Sequence, residues 1–321
     1  MNRLLWHIGL IACILTVAQA VPAAPAVQPQ RVTKGIFTVE FWPGDEKIAE
    51  ESLEILHETT ADFSLRLPAG NKPIRVTVCR NMQEFQARAG GYGRTWVGGI
   101  SKSRSGLIAV KAPYLLPQSR DYYGLLRHEL LHVLLARNVR EEYLPRWFNE
   151  GIVMVLSGEN RWGSAARVAG MYASHNLIPY YNLDFAFLPL GDEILSGDAY
   201  AQAYSMTRFL QNRIGEERFW ELVAAMRVKP FDVALREATS LSPGAFYAAW
   251  RGSLWKVAIM TASASAFSVF NLMVVLVFLA WYRKRKRNQA IIQEWEEEEL
   301  DDYSVSPVEW FEADYKEDDE F

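Results

Sequence analysis

The sequence contains little cysteine: Cys13 and Cys79 are the only two in 321 residues. Cys13 lies in an apolar N-terminal stretch, and its removal with a cleaved leader would leave one thiol and no intrachain disulfide. A disulfide-stabilised scaffold is therefore excluded. Cys79 ends an apolar, strand-like run, so we expect a buried, unreactive thiol there. Because half of the residues are hydrophobic, a fully disordered chain is excluded as well.

Net charge is also small, at −4, but its distribution is uneven. Residues 283–321 hold 6 basic and 14 acidic residues, a net of −8, so the rest of the chain carries +4. Residues 257–282 contain no charge, and such a run is long enough to cross a hydrocarbon core of about 30 Å as a helix. We predict a transmembrane helix at residues 254–282; a buried core helix is the alternative.

The N-terminus has the features of a secretory signal peptide. Arg3 precedes a short apolar core, and an A-x-A pattern ends at Ala20. We predict a signal peptide at residues 1–20 and a linker rich in Ala, Pro and Gln at residues 21–30. The basic run at residues 283–287 is typical of the cytoplasmic side of a membrane span. The predicted location is therefore the cell (inner) membrane, single-pass, with a periplasmic (extracytoplasmic) domain at residues 31–253 and a cytoplasmic C-terminus.

Histidine is scarce too, yet two of the five histidines form an H-E-x-x-H pattern with Glu129 between them, at His128 and His132. The surrounding residues are apolar and helical in character, and residues four apart share one helix face, so both imidazoles can bind one ion. Zn²⁺ favours neutral imidazole, and Glu129 is placed to accept the proton of a metal-activated water. The alternative interpretation is a pair of solvated or capped histidines.

Zinc needs a third protein ligand and an open fourth position. Leu135 and Asn138 stand where a third histidine would be expected, whereas Glu150 lies 18 residues beyond His132, an interval that fits a helix, a turn and the start of a second helix. We predict Glu150 as the third ligand. Glu141 and Glu142 are the alternatives.

With W-F-x-E-G at residues 147–151, the pattern resembles the gluzincin metallopeptidases, specifically the peptidase MA-like group (H-E-x-x-H plus a distal Glu). The resemblance covers roughly residues 73–250, including an edge-strand-like segment at residues 96–100. It implies an α+β, zincin-like fold: a small N-terminal mixed sheet with the active-site helix, and a helical C-terminal lobe, here followed by the predicted transmembrane helix. It also implies an oxyanion-stabilising tyrosine, for which Tyr204 and then Tyr200 are the candidates, although both can be packing residues.

The predicted function is a membrane-anchored zinc metallopeptidase. Aminopeptidases of this group carry G-x-M-E-N, but residues 98–102 contain no acid, which favours an endopeptidase. The alternatives are a catalytically silent zincin-fold adaptor that binds protein partners on both sides of the membrane, and a zinc hydrolase acting on a non-peptide amide. Asn149 and Arg127, next to the predicted ligands, either orient them or are structural.

Expected partners are a protein or peptide substrate close to the membrane and the lipid bilayer itself. The acidic tail at residues 283–321 either is solvated without function or docks on a basic cytoplasmic protein. Nucleic acid is not an expected partner, because phosphate repels such a tail.

Overall fold

The computed structural model describes residues 28–90, 97–117, 121–158, 161–187 and 193–303. Outside them lie the predicted signal peptide, residues 21–27 of the predicted linker, Trp96 of the predicted edge strand and residues 304–321 of the tail. The chain divides into two units, Met1–Glu159 with Ile214–Ala238, and Asn160–Arg213 with Thr239–Phe321.

The first unit contains a five-stranded mixed sheet with the strand order β1-β2-β3-β5-β4. The strands are β1 (Gln30–Lys34), β2 (Phe37–Phe41), β3 (Ile74–Cys79), β4 (Gly99–Lys102) and β5 (Leu107–Lys111). β2, β3 and β5 are parallel, while β1 and β4 pair antiparallel with β2 and β5 at the two edges. The central β3 is almost wholly buried and the edge strand β1 is mostly exposed, as expected for a sheet covered at its centre.

Two tight turns depend on glycine. Gly35 joins β1 to β2 with a φ of +60°, and Gly106 precedes β5 with a φ of +67° after a short 3-10 helix at Ser103–Ser105. A Cβ on Gly106 would lie 2.8 Å from the carbonyl oxygen of Pro73, so a side chain is excluded there by contact as well as by φ. This turn fixes how β4 runs back along β5.

Among the described residues, six α-helices belong to the first unit. They are α1 (Glu46–Asp62), α2 (Met82–Arg88), α3 (Tyr122–Asn138), α4 (Arg146–Ser157), α8 (Glu216–Ala225) and α9 (Phe231–Thr239). α3 begins at Asp121, whose carboxylate accepts the backbone N–H groups of Tyr123 and Gly124. α4 begins after Pro145 and ends at Gly158, which has the left-handed conformation common after a helix C-terminus.

The core of this unit has an aliphatic and an aromatic part. α1 and α3 pack on the sheet, and the apolar residues of α3 from Leu130 to Leu135 are fully buried. The aromatic part joins α4 to α8 and α9: the ring of Phe231 lies 5.4 Å from Trp147 and 4.6 Å from Phe148. α4 is therefore held rigidly by its first turn, where the W-F-x-E-G pattern begins.

The second unit contains the helices α5 (Arg161–Ala173), α6 (Tyr180–Leu183), α7 (Glu193–Ile214) and α10 (Pro243–Tyr303). Gln202 on α7 is fully buried, and its amide both accepts from and donates to the backbone of Ile178, at 2.9 and 2.7 Å. The hydroxyl of Tyr247 on α10 donates to the same carbonyl, and Trp250 donates to Ser205. These contacts fix the first turns of α10 against α7.

The predicted transmembrane helix at residues 254–282 falls inside α10, and the prediction is wrong: among the described residues, no helix is sufficiently long and apolar to cross a membrane. The physical reason lies in the composition of the run. Hydroxyl and amide side chains interrupt its first half, so the continuous apolar stretch at residues 272–282 is shorter than the about 20 residues that a span requires. The interrupting residues are Thr261, Ser263, Ser265, Ser268 and Asn271.

The same finding contradicts the predicted single-pass inner-membrane location, with its periplasmic domain and cytoplasmic C-terminus. The predicted α+β, zincin-like architecture ending in a membrane span is corrected accordingly. Over the described ranges the chain is a mixed α/β protein, mostly helical, with one small five-stranded sheet.

Candidate metal centre

The two histidines of the H-E-x-x-H pattern lie on one face of α3. Their Nε2 atoms are 3.1 Å apart and the ring planes make an angle of 75°. Both side chains are mostly buried. One helical turn thus directs two imidazole nitrogens at a common point, as the i, i+4 spacing predicts.

Glu150 on α4 approaches the same point. Its Oε2 atom lies 3.6 Å from Nε2 of His128 and 3.4 Å from Nε2 of His132. This oxygen is buried and no hydrogen-bond donor is aligned on it. Glu150, His128 and His132 also form a group in which one possible ligand atom from each residue lies within 4.8 Å of the other two.

The three distances provide a test of whether these residues fit a metal ion. Ligand atoms about 2.0–2.1 Å from a tetrahedral zinc ion are about 3.3 Å from one another. The observed separations are 3.1, 3.4 and 3.6 Å. Two imidazoles and one carboxylate are also a donor set that zinc uses in catalytic sites. The residues fit the ion in number, in type and in spacing.

Asn149 fixes the tautomer of one histidine. The Oδ1 atom of Asn149 lies 3.1 Å from Nδ1 of His132, and a carbonyl oxygen can only accept. Nδ1 of His132 therefore carries a proton, and in the neutral ring the lone pair is on Nε2, directed at the common point. The sequence left open whether Asn149 orients a predicted ligand, and the structure places its side-chain oxygen in contact with the predicted ligand His132.

Charge at the centre favours a cation. Burial would raise the pKa of Glu150, but the facing imidazoles, chiefly His132, outweigh it and the pKa is lowered. Burial would lower the pKa of His132, but the Glu150 carboxylate has the larger effect, and the pKa of His132 is raised. Glu150 is thus held as a buried anion.

Glu129 lies between α3 and the sheet, and only 6% of it is exposed. Burial raises its pKa, against the lowering effect of His128 and His132. β4 passes very close: a Cβ on Gly99 would be 2.7 Å from Cγ and 2.8 Å from Oε1 of Glu129. The carboxylate is therefore confined on the side of β4.

The remaining acidic candidates face elsewhere. Glu141 and Glu142 are exposed in a 3-10 helix between α3 and α4, where they pair with Arg104 and Arg140. Neither belongs to the group formed with the two histidines. Within the described residues, Glu150 is the carboxylate that joins both imidazoles.

Arg127 has a structural role. Its guanidinium binds Asp62 at 2.6 Å and lies over the ring of Phe63, at the C-terminal end of α1. It therefore ties α3 to α1. Cys79 is buried as expected, and burial raises the pKa of its thiol to about 12, which makes it unreactive.

The two tyrosine candidates belong to α7 in the second unit. Tyr204 is buried, with 8% of its surface exposed, whereas Tyr200 is 37% exposed and packs edge-on against Phe187 with ring centroids 5.1 Å apart. The contribution of either phenol to catalysis stays a prediction.

Sequence reasoning missed Gly99 as a neighbour of Glu129. An available signal was the alternation of β4, which puts residue 99 on the face opposite to that of Ile100. The strand's distance from α3, however, depends on packing. Comparison of the sequence with protein-family models and with curated proteins finds no match for this chain.

Proposed function

We propose that this protein is a zinc-dependent hydrolase that cleaves peptide bonds through an activated water, as the resemblance to gluzincin metallopeptidases implies. The observation that carries the proposal is the triangle of two Nε2 atoms and one carboxylate oxygen, with sides of 3.1, 3.4 and 3.6 Å. A buried carboxylate that faces two imidazoles attracts a cation, and this spacing suits zinc.

Each residue has a defined task in this proposal. His128, His132 and Glu150 hold the ion, and Asn149 keeps His132 in the tautomer that can bind it. Zn²⁺, when bound, polarises the scissile carbonyl and lowers the pKa of a neighbouring water. Glu129 accepts the proton of the attacking water and delivers it to the leaving amine. A phenol, Tyr204 first and Tyr200 second, is the proposed donor to the developing oxyanion.

An extended peptide is the substrate that the surroundings of Glu129 suit best. β4 is the edge strand of the sheet and pairs on one side only with β5. An edge strand beside a carboxylate base can hold a peptide by backbone hydrogen bonds. β4 contains no acid that could bind a free N-terminal amine, which favours internal cleavage.

The test is a metal analysis of the full chain together with a peptide-library digest. We expect about one zinc per chain and cleavage within peptides. Glu129→Gln should lower kcat by a factor on the order of 10³ or more while zinc stays bound, because the general base alone is lost. Glu141→Gln is the matched control, since this exposed carboxylate pairs with Arg104 instead.

Three outcomes would contradict the proposal. A chain without zinc affinity would refute the metal centre. Cleavage that Glu129→Gln leaves unchanged would refute the role of Glu129. Zinc binding with no cleavage of any peptide would favour the silent adaptor, or a hydrolase for a non-peptide amide if amide model compounds are cleaved.

A further inference from the structure

β4 presents two different faces, and Gly99 lies on the one that contacts α3. Successive strand residues point to opposite sides, and Ile100 packs against the core cluster that contains Phe85. Gly99 therefore faces the other side of the sheet, where β4 contacts α3. It is buried there, and its neighbour on α3 is Glu129.

The backbone conformation at Gly99 does not require glycine. Gly106, at the turn of the same hairpin, has a left-handed φ of +67°, whereas Gly99 lies in the extended backbone of β4 and is not among the glycines with positive φ. Glycine inside a strand is otherwise unfavourable, because it loses more conformational freedom on folding than any other residue. The feature that requires glycine at this position is therefore a close contact.

That contact is made by the side chain of Glu129. A Cβ built on Gly99 would lie 2.7 Å from Cγ, 2.8 Å from Oε1 and 3.1 Å from Cδ of Glu129. Ordinary van der Waals contact begins at 3.4 Å, so all three atoms would be too close. A methyl group at residue 99 would thus compete for the space that the buried carboxylate occupies.

The carboxylate is the part of this contact that can move. β4 is held by β5, since the backbone N–H of Lys111 donates to the carbonyl of Gly98 at 2.9 Å, and by the packing of Ile100. α3 is held by its fully buried apolar residues from Leu130 to Leu135. To accommodate a methyl group, Cγ of Glu129 would have to move from 2.7 to at least 3.4 Å from it, by rotation of the side chain.

We propose that Gly99 is a positioning residue for Glu129. The absence of a side chain lets the carboxylate lie against the backbone of β4, and this sets its position relative to the predicted zinc ligands and to the water that it deprotonates. This inference rests on the proposed hydrolase function and adds a residue to it. A catalytic group misplaced by about 1 Å can lose about 10²-fold in rate, while substrate binding is retained.

The kinetic test uses Gly99→Ala and Gly99→Val in the zinc-loaded full chain. We expect kcat to fall about 10–100-fold in Gly99→Ala, with KM and zinc affinity unchanged, and further in the bulkier Gly99→Val. Gly170→Ala is the control, because Gly170 is exposed on α5 and a Cβ there meets nothing within 4 Å. Wild-type kcat in Gly99→Ala would overturn the proposal. A raised KM with wild-type kcat would also overturn it, because the strand rather than the carboxylate would then have moved.

A second measurement does not depend on activity. The zinc-free full chain is unfolded in urea for Gly99→Ala, Glu129→Ala and the double variant. Glu129→Ala removes the three atoms that the new methyl group would meet. Gly99→Ala should therefore lower the urea midpoint in the wild-type background and leave it unchanged or raise it in the Glu129→Ala background. Equal falls in both backgrounds would overturn the contact.

Failure of this inference is distinguishable from failure of the hydrolase proposal. A wild type that cleaves peptides, together with normal kcat in Gly99→Ala, overturns the role of Gly99 alone. A zinc-loaded wild type that cleaves nothing overturns the function and the positioning role with it, whereas the urea midpoints still report the contact. If Gly99→Ala does not fold, a folded double variant with Glu129→Ala supports the contact and an unfolded one overturns it.

Discussion

Two groups of buried polar side chains lie along α3 and differ in how their hydrogen bonds are satisfied. At the end of the helix, the amide nitrogen of Asn138 donates to the carbonyls of Pro68 and Leu134 at 3.0 and 2.9 Å. Its side-chain oxygen and backbone oxygen both accept from Arg227 at 2.7 and 2.8 Å. We call Asn138 with Arg227 the terminal cluster. Both polar atoms of the Asn138 side chain thus have protein partners.

The metal cluster, formed by His128 and His132 earlier on α3 together with Glu150 of α4, is arranged differently. Two imidazole nitrogens and a carboxylate oxygen point at one another within 3.6 Å, and the oxygen has no aligned donor. Acceptor atoms that converge on one another repel unless a cation or a proton lies between them. Burial alone is therefore no guide to function on this helix. A matched set of donors and acceptors indicates structure, and convergent acceptors indicate a ligand.

We expect the largest effect on zinc affinity from a substitution that removes one of the three converging acceptors. Glu150→Gln should weaken zinc binding by a factor on the order of 10²–10³, since three protein ligands share a binding free energy of about 10 kcal/mol or more. The measurement is zinc affinity by competition with a chelator. Glu142→Gln is the control, because this exposed carboxylate pairs with Arg140. Wild-type affinity in Glu150→Gln would remove Glu150 from the ligand set.

A substitution in the terminal cluster should instead affect stability and leave zinc affinity unchanged. Asn138→Ala removes the side-chain donor to the carbonyls of Pro68 and Leu134 and the side-chain acceptor of Nη2 of Arg227, whereas the bond from Nε of Arg227 to the backbone oxygen of residue 138 remains. The free energy of unfolding should therefore fall by about 1–3 kcal/mol while zinc affinity stays at the wild-type value. Urea denaturation in the presence of a chelator measures the first quantity, and the chelator competition measures the second. Asn182→Ala, an exposed asparagine on α6, is the control, with an expected change within about 0.5 kcal/mol. A parallel loss of zinc would show that the two clusters are coupled.

The local part of the candidate site could be predicted from the sequence. The i, i+4 spacing of His128 and His132 puts them on one face whatever the rest of the chain does, and their Nε2 atoms do converge. Glu150 was predicted from an 18-residue interval and a resemblance, and the structure brings its carboxylate to the same point. The roles of these residues, and those of Tyr200 and Tyr204, stay predictions.

The contacts that confine Glu129 and His132 could not be predicted in the same way. Gly99 meets Glu129 only because the hairpin of β4 and β5 docks on α3, a contact between segments far apart in the chain. The prediction for residues 254–282 failed for a different reason, which lies in the local composition of the run. Absence of charge in this run predicts a membrane span, but its polar uncharged side chains interrupt the apolar stretch, and the prediction is wrong.

Asn149 combines features of both groups. Its side-chain oxygen is a matched hydrogen-bond partner, and the histidine that it contacts, His132, belongs to the metal cluster. Asn149→Ala should weaken zinc binding by about 10–100-fold, as is typical when the partner of a liganding histidine is lost. Asn149→Asp keeps an acceptor for Nδ1 of His132 and should retain most of the affinity. Equal losses in both variants would mean that Asn149 acts by packing rather than through its oxygen.

The smallest expected effect comes from a matched pair that adjoins the metal cluster. Arg127 precedes His128, but its guanidinium binds Asp62, whose side chain is 52% exposed. Ion pairs with an exposed partner contribute about 0–1 kcal/mol, so Asp62→Asn should lower the free energy of unfolding by no more than that. Because the pair is matched and points away from the convergent atoms, zinc affinity should not change. Urea denaturation and the chelator competition again measure the two quantities, and Lys47→Gln provides a control in the exposed pair with Glu51 at the start of α1. If zinc affinity fell in Asp62→Asn, ion pairs next to the metal cluster would also set its geometry. The distinction between matched hydrogen-bonding groups and converging acceptors would then not hold for the residues closest to the metal cluster.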